Sequence, residues 1–388
     1  MGMNWIMTKI KVIGNYRGFL KDLFNTAFPS ITFEYKSNKK FELLSKRKEF
    51  LLRLYNHPFF DFLGLFVVRD VKESDAQYYF SYNRFLNIPE GKYVIYLENP
   101  TALVNYSDTK MKSRRAKNKL KRLFKSESLL KIVCMSKACF DGMTLFYPDI
   151  PLEKITQLYP LIQEDSSLHK SQLTQRARQE RVKCLYVSSQ FRLKGGEDLL
   201  AVFERFSDCD ELELTIVTDC SKLTEEQAKR IQQLPNVHLK EFNLNRNELF
   251  ALYQESNILL NPSRMDSFSL VTLEAVKNGC VVISSDIYAI KEMVIDGWNG
   301  FLQLPKYQFW NEDGSINHYV KVNPSKTYDS EYLDDQMIDF LYEKISLLIK
   351  DREVLLEMSQ NSLDLAMNDT FSSQKIKEKW ENILSQES

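Results

Sequence analysis

Two carboxylates, Asp266 and Glu274, stand eight residues apart in the stretch NPSRMDSFSLVTLEAVKNGCVVISSD, which runs from 261 to 286. One apolar run enters this stretch and another leaves it. Pro262 cannot extend a central strand, so SRMDSFS reads as a loop, with a helix beginning near Ser269. The amides of Ser269, Leu270 and Val271 would then be free to meet an anion. Glu274, one to two turns into the helix, is placed to accept hydrogen bonds from the paired hydroxyls of a ribose. Asp266, in the loop, is placed to hold hydroxyls of whatever hangs from the far phosphate. A second group lies in FRLKGGEDLL, where Arg192 and Lys194 precede a helix and suit a diphosphate. Gly195 and Gly196 permit close backbone approach there. Each motif alone also fits a bland reading: an acidic helix start, or a solvated basic turn.

The elements that must position these residues alternate in type. In the first half KIKVIG, SITFEYK, FLGLFVV (62–68), KYVIYLE (92–98) and KIVCMS (131–136) read as strands. FLKDLFNTAF and FELLSKRKEFLLRLYN (41–56) read as helices from their apolar spacing. Between 149 and 181 the pattern lapses into a polar stretch bracketed by prolines, which reads as an interdomain connection. The alternation then restarts with KCLYVSS, LELTIVTD, VHLKEF and NILLNPS, each followed by a helix, then CVVISSD, and the tail from Ser330 is mainly helical. Such alternation predicts α/β architecture with parallel sheets covered on both faces, and in open parallel sheets ligands bind at the carboxyl ends of the strands.

Composition narrows the class. Of 388 residues 44% are hydrophobic and 27% charged, as in an ordinary globular chain. Lys+Arg and Asp+Glu balance at 52 each, so no polyanionic partner follows from bulk charge. The six cysteines form no CxxC pair and fit buried thiols in a reducing, cytoplasmic compartment. MNWIMTKIKVIG is interrupted by Lys9 and Lys11 and does not read as a signal peptide. None of the four histidines reads as catalytic.

PSRMDSFSLVTLEAVKNGCVV, followed by Asp286, Lys291-Glu292 and DGWNGFL and preceded by FRLKGG, resembles the GT-B retaining glycosyltransferases of family four (glycosyl transferases group 1). The resemblance covers roughly residues 180–305 and has its parts in family order. It implies two Rossmann-like domains with a cleft between them: an acceptor domain over 1–163, with a helix at about 371–388 packing back on it, and a nucleotide-sugar domain over 175–370. It further implies transfer from a nucleotide diphosphate sugar, UDP-sugar favoured, with retained configuration. Lys194, with Arg192, would neutralise the diphosphate and Glu274 would bind the ribose. Asp266 would contact the donor sugar, with Gly195 and the amides of Phe268, Ser269 and Leu270 nearby. The base would lie near the loop after VHLKEF. Such enzymes usually need no metal, because side-chain cations and a helix N-terminus replace it, so no metal or other cofactor is expected.

Departures accompany the resemblance. The family's first Glu is Asp266, and the glycines flanking the Phe are Ser267 and Ser269. Tyr288 and Ala289 replace two further glycines. The first domain has Glu98 and Asn99 where the family has a His, so Glu98 is the catalytic candidate there, with Asn99 and Gly14 lining the acceptor side. These changes also suit a second reading, an inactive GT-B-shaped acceptor-binding subunit serving a partner glycosyltransferase. The run DTKMKSRRAKNKLKRLFKSES forms a basic amphipathic helix whose Arg114, Arg115, Lys119 and Arg122 suit an anionic membrane surface or a lipid-linked acceptor. The acceptor class expected is a cell-surface glycan, lipid-linked or protein; no nucleic acid is expected, because no RNA- or DNA-reading motif accompanies the run.

Overall fold

Runs such as Ile258–Asn261 and Val281–Ser285 are buried at every position, the mark of strands covered on both faces. The computed structural model describes residues 7–36, 61, 63–72, 76–164, 168–368 and 370–385. The helix expected over 41–56 and the start of the strand expected at 62 lie outside them. The chain divides into two units, residues 1–163 with 373–388, and residues 164–372.

The first unit contains β1 (Thr8–Ile13), β2 (Ile31–Glu34), β3 (Val68–Asp70), β4 (Tyr78–Tyr82), β5 (Phe85–Asn87), β6 (Lys92–Leu97), β7 (Leu129–Cys134) and β8 (Ile155–Gln157). Six of these form a parallel sheet in the order β2-β1-β4-β6-β7-β8, and β3 pairs with β5. The apolar stretch 62–68, expected to be a strand, is one only from Val68. Gly64, at φ +64°, closes a turn against Ser113 and Ala116, and Phe66 is a buried anchor while Leu65 and Val67 face solvent. A strand not expected, β4, takes the place between β1 and β6. Its Tyr78, Tyr79 and Phe80 are all buried.

The helix Arg114–Phe124 packs Ala116, Leu120 and Phe124 into this core, Phe124 lying against Phe85 and Tyr147. The terminal helix Ser373–Ser385 also belongs to this unit. Its Trp380, 1% exposed, sits against Phe80 and Tyr96, so truncating it to Ala should cost about 3–5 kcal/mol. No helix among the described residues is long and apolar enough to cross a membrane.

The second unit contains β9 (Val182–Ser188), β10 (Leu212–Thr218), β11 (Val237–Glu241), β12 (Ile258–Asn261), β13 (Val281–Ser285) and β14 (Gly300–Gln303). They form one parallel sheet in the order β11-β10-β9-β12-β13-β14. The order reverses between β9 and β12, and the loops that part from those two strands leave a crevice at their carboxyl ends. Arg176 braces the opposite side of the unit. Buried, it donates to the carbonyls of Tyr253, Gln254, Asn278 and Gly279, and so ties three helices together.

Candidate active site

The loop after β9 begins with a single turn, Arg192–Lys194, that ends on Gly195 at φ +74°. A side chain at Gly195 would collide with the Pro262 carbonyl, and one at Gly196 with the Phe191 ring. Bare backbone at Gly195 therefore lets this loop lie directly on the loop after β12, and bare backbone at Gly196 lets the loop fold tightly over its own Phe191. The contact carries Lys194 Nζ to 2.7 Å from Asp266 Oδ2 and 2.6 Å from the Met265 carbonyl.

Asp266 does not reach outward. Its Oδ1 accepts from the amides of Ser267 at 2.8 Å, Phe268 at 3.2 Å and Ser269 at 3.0 Å. The expectation that the Ser269 amide is free for a ligand is therefore corrected: the chain's own carboxylate occupies it. The physical reason is length, since an Asp side chain is short enough to close onto the amides that follow it. Burial pushes the Asp266 carboxyl up, but Lys194 and the Phe268 and Ser269 amides outweigh it and hold the group below its ordinary value. The Asp266 carbonyl accepts from Trp310 Nε1 at 2.7 Å, and Trp310 packs on Tyr288.

The helix Leu270–Lys277 follows. Ser269, just before it, has φ +65°, and Tyr288 has φ +44°. The backbone thus keeps a left-handed turn at two places where the family resemblance supplies glycine. At Ser269 the hydroxyl bonds Thr272 Oγ1 and accepts from Asn261 Nδ2, which secures the turn. The Phe268 ring is buried, so only its amide faces the loop. Leu270 is half-buried at the helix start. Glu274 Oε2 accepts from the Tyr253 hydroxyl at 2.9 Å, which fixes the carboxylate in place.

Arg192 is engaged by acids from a later segment, Asp329 at 3.0 Å and Glu331 at 3.9 Å. Beside it opens a pocket of ≈ 290 Å³ lined by Gln190, Arg192, Lys222, Thr224 and Tyr328 among others. The pocket lies at the loops after β9 and β10, a step away from the β11 loop near which the family resemblance puts the base. Beneath the loop, buried Arg264 meets both oxygens of buried Asp198 at 3.1 and 3.0 Å. It also donates to the Ser330 and Tyr332 carbonyls and stacks on the Tyr332 ring. Sequence reasoning missed this pair, Trp310 and Tyr253. The sequence carries no signal for the pair of Asp198 and Arg264, since each stands among other polar residues, in KGGED and in NPSRMDS.

In the first unit the residues singled out by sequence stand at the carboxyl ends of β1 and β6. Glu98 is 3% exposed. Its two oxygens accept from the Tyr82 and Tyr106 hydroxyls at 2.5 Å each, and Arg17 lies 3.6 Å away. Its amide donates to Asn83 Oδ1. Asn99 is buried and accepts from the Thr101 hydroxyl at 2.5 Å. Gly14 has φ +89°, and a side chain there would fall on the Arg69 guanidinium. Tyr82, Tyr106, Arg17 and Arg69 were not foreseen; the tyrosine-rich run of β4 was the available signal.

On the basic helix Arg114, Arg115 and Arg122 are exposed. Lys119 turns inward instead, donating to the Phe66 carbonyl at 3.3 Å and lying over its ring. Burial, and then Arg122, lowers its pKa. Among the described residues no group of three or more His, Cys, Asp or Glu is placed to hold a metal ion.

Residues 181–308 match the family described as Glycosyl transferases group 1. A 41.2 kDa protein in the cps region of Klebsiella pneumoniae is 30% identical over 123 residues, 32% of this chain and 33% of that protein. The match therefore spans a third of the relative's length. Among solved structures, a glycosyltransferase from Rickettsia africae ESF-5 superposes with a TM-score of 0.59 at 15% identity, over 98% of this chain and 99% of that one. WaaG, a glycosyltransferase involved in lipopolysaccharide biosynthesis, gives 0.59 at 14% identity, over 98% and 100%. HepE of Anabaena, in complex with UDP and glucose, gives the same values. The chain thus has the GT-B fold expected from its sequence, and the match to the group 1 glycosyltransferases covers residues 181–308.

Proposed function

We propose that this chain, with its GT-B fold and group 1 segment, transfers a sugar from a nucleoside diphosphate sugar to a cell-surface glycan, lipid-linked or protein acceptor, retaining the anomeric configuration. The observation that carries the reading is the convergence of Lys194 Nζ and the amides of Ser267, Phe268 and Ser269 on one point at the reversal of the second sheet. A cation and a cradle of amides are what a diphosphate requires. Glu274, fixed by Tyr253, takes the ribose. UDP is the favoured nucleotide because HepE is described with UDP, with UDP and glucose, and with UDP-glucose. A glycan acceptor agrees with the likeness to WaaG, a glycosyltransferase involved in lipopolysaccharide biosynthesis.

In this reading Lys194 offsets charge on the departing diphosphate, and the leaving phosphate oxygen takes the acceptor's proton as the new glycosidic bond forms on the same face. The lysine and the amides supply the charge compensation, so no metal enters the proposal. The acceptor belongs to the first unit, where Gly14, Glu98 and Asn99 stand at strand ends. Arg114, Arg115 and Arg122 suit a protein working at an anionic inner membrane surface. A thermal-shift panel of nucleoside diphosphates and nucleotide sugars, without metal, tests the reading. Bound at ~100 times its Kd, one ligand should add about 2.7 kcal/mol of stability, and Glu274→Ala or Lys194→Ala should remove the shift. A panel with no stabilising ligand refutes it.

A further inference from the structure

We infer that Asp266 is an internal stand-in for the donor's phosphate, displaced when the donor binds, and that it makes the site favour the intact sugar donor over the spent nucleoside diphosphate. This rests on the function proposed above. The carboxylate occupies the amides of Ser267, Phe268 and Ser269 and pairs with Lys194, so the groups that suit a diphosphate are already satisfied by an anion of the chain itself.

The surroundings permit an exchange. The Asp266 backbone is held through its carbonyl by Trp310, so the carboxylate leaves by rotation of its side chain alone. Lys194 stays anchored on the Met265 carbonyl at 2.6 Å when the carboxylate goes, and remains in reach of an incoming phosphate. Displacement costs every ligand the same ion pair and the same three amide bonds. A sugar donor recovers part of that cost, because its hydroxyls lie beyond the phosphate and donate to the freed carboxylate. A bare nucleoside diphosphate, or inorganic pyrophosphate, has no such hydroxyls and recovers nothing. Ligand affinity falls with the fraction of molecules whose site is open, so the penalty falls hardest on the product. A Glu, one methylene longer, would not fold back onto the same amides as readily.

The test compares wild type with Asp266→Asn and Asp266→Ser, two neutral side chains that still cap the loop. Binding of inorganic pyrophosphate, and of the nucleoside diphosphate that stabilises the wild type, is measured by calorimetry. Both variants should bind both probes about tenfold more tightly. The preference for nucleotide sugar over nucleotide should shrink by a similar factor. Should the wild type bind nucleotide while neither variant gains affinity for pyrophosphate, the displacement is overturned and the proposed function stands. Should no nucleotide bind any of the three proteins, both fall together.

Discussion

Gly195 faces the carbonyl oxygen of Pro262 at a separation that leaves no room for a methyl group. Gly195 ends the loop after β9 and Pro262 begins the loop after the neighbouring β12, and their contact sets the distance between Lys194 and Asp266. Gly195→Ala should therefore cost at least about 3 kcal/mol, combining the left-handed backbone with the overlap. Gly297 provides the comparison: its φ is +73°, but nothing lies within 4 Å of a methyl placed there. Gly297→Ala should cost only about 1–2 kcal/mol. Urea denaturation of both variants checks this, and equal losses would show that the close approach is unimportant.

The hydroxyl of Tyr253 is the donor that holds Glu274 Oε2. Tyr253→Phe leaves the buried ring in place and removes only that hydrogen bond. Nucleoside diphosphate affinity should fall about tenfold, the size of one hydrogen bond to a charged group. Affinity for inorganic pyrophosphate, which has no ribose, should stay the same. A matched loss for both ligands would take the ribose away from Glu274.

Much of this arrangement is legible in the sequence because it is local. The glycine pair after β9, the proline that ends β12 and the caps of the following helices act within a few residues of themselves. β4 was not legible, because its apolar run Tyr78-Tyr79-Phe80 is short and passes at once into Ser81, Tyr82, Asn83 and Arg84. Arg264 and Asp198 are brought together only by the sheet order. Trp310 reaches Asp266 from a segment with no regular pattern of its own. Asp266 itself shows the limit most clearly. The residue type was read correctly as shorter by a methylene, but its consequence, a carboxylate folded onto its own amides, depends on rotamer and backbone together.

The Arg264–Asp198 pair is buried at both ends, with side chains 1% and 2% exposed. Removing one partner leaves the other charged and out of water, which costs about 3–5 kcal/mol. Arg264→Met should lower stability by that amount and loosen the segment 330–334 that its guanidinium holds. The double variant Arg264→Met with Asp198→Leu should recover most of the loss, since no buried charge is left over. Chemical denaturation of the two singles and the double closes the cycle. A double variant as unstable as the sum of the singles would mean the pair acts by packing alone.

Acid should loosen the site through Asp266. Its carboxyl is held below the ordinary value of 3.8 in the folded chain, because Lys194 and two amides outweigh burial. A depressed carboxyl contributes stability that is complete above its unfolded value and is lost as pH falls through its folded one. The wild type should therefore lose stability between about pH 5 and about pH 3 more steeply than Asp266→Asn, which has no proton to take up there. Urea midpoints at several pH values across that range measure the difference. Parallel curves for the two proteins would mean that Lys194 and the amides do not favour the charged carboxylate after all.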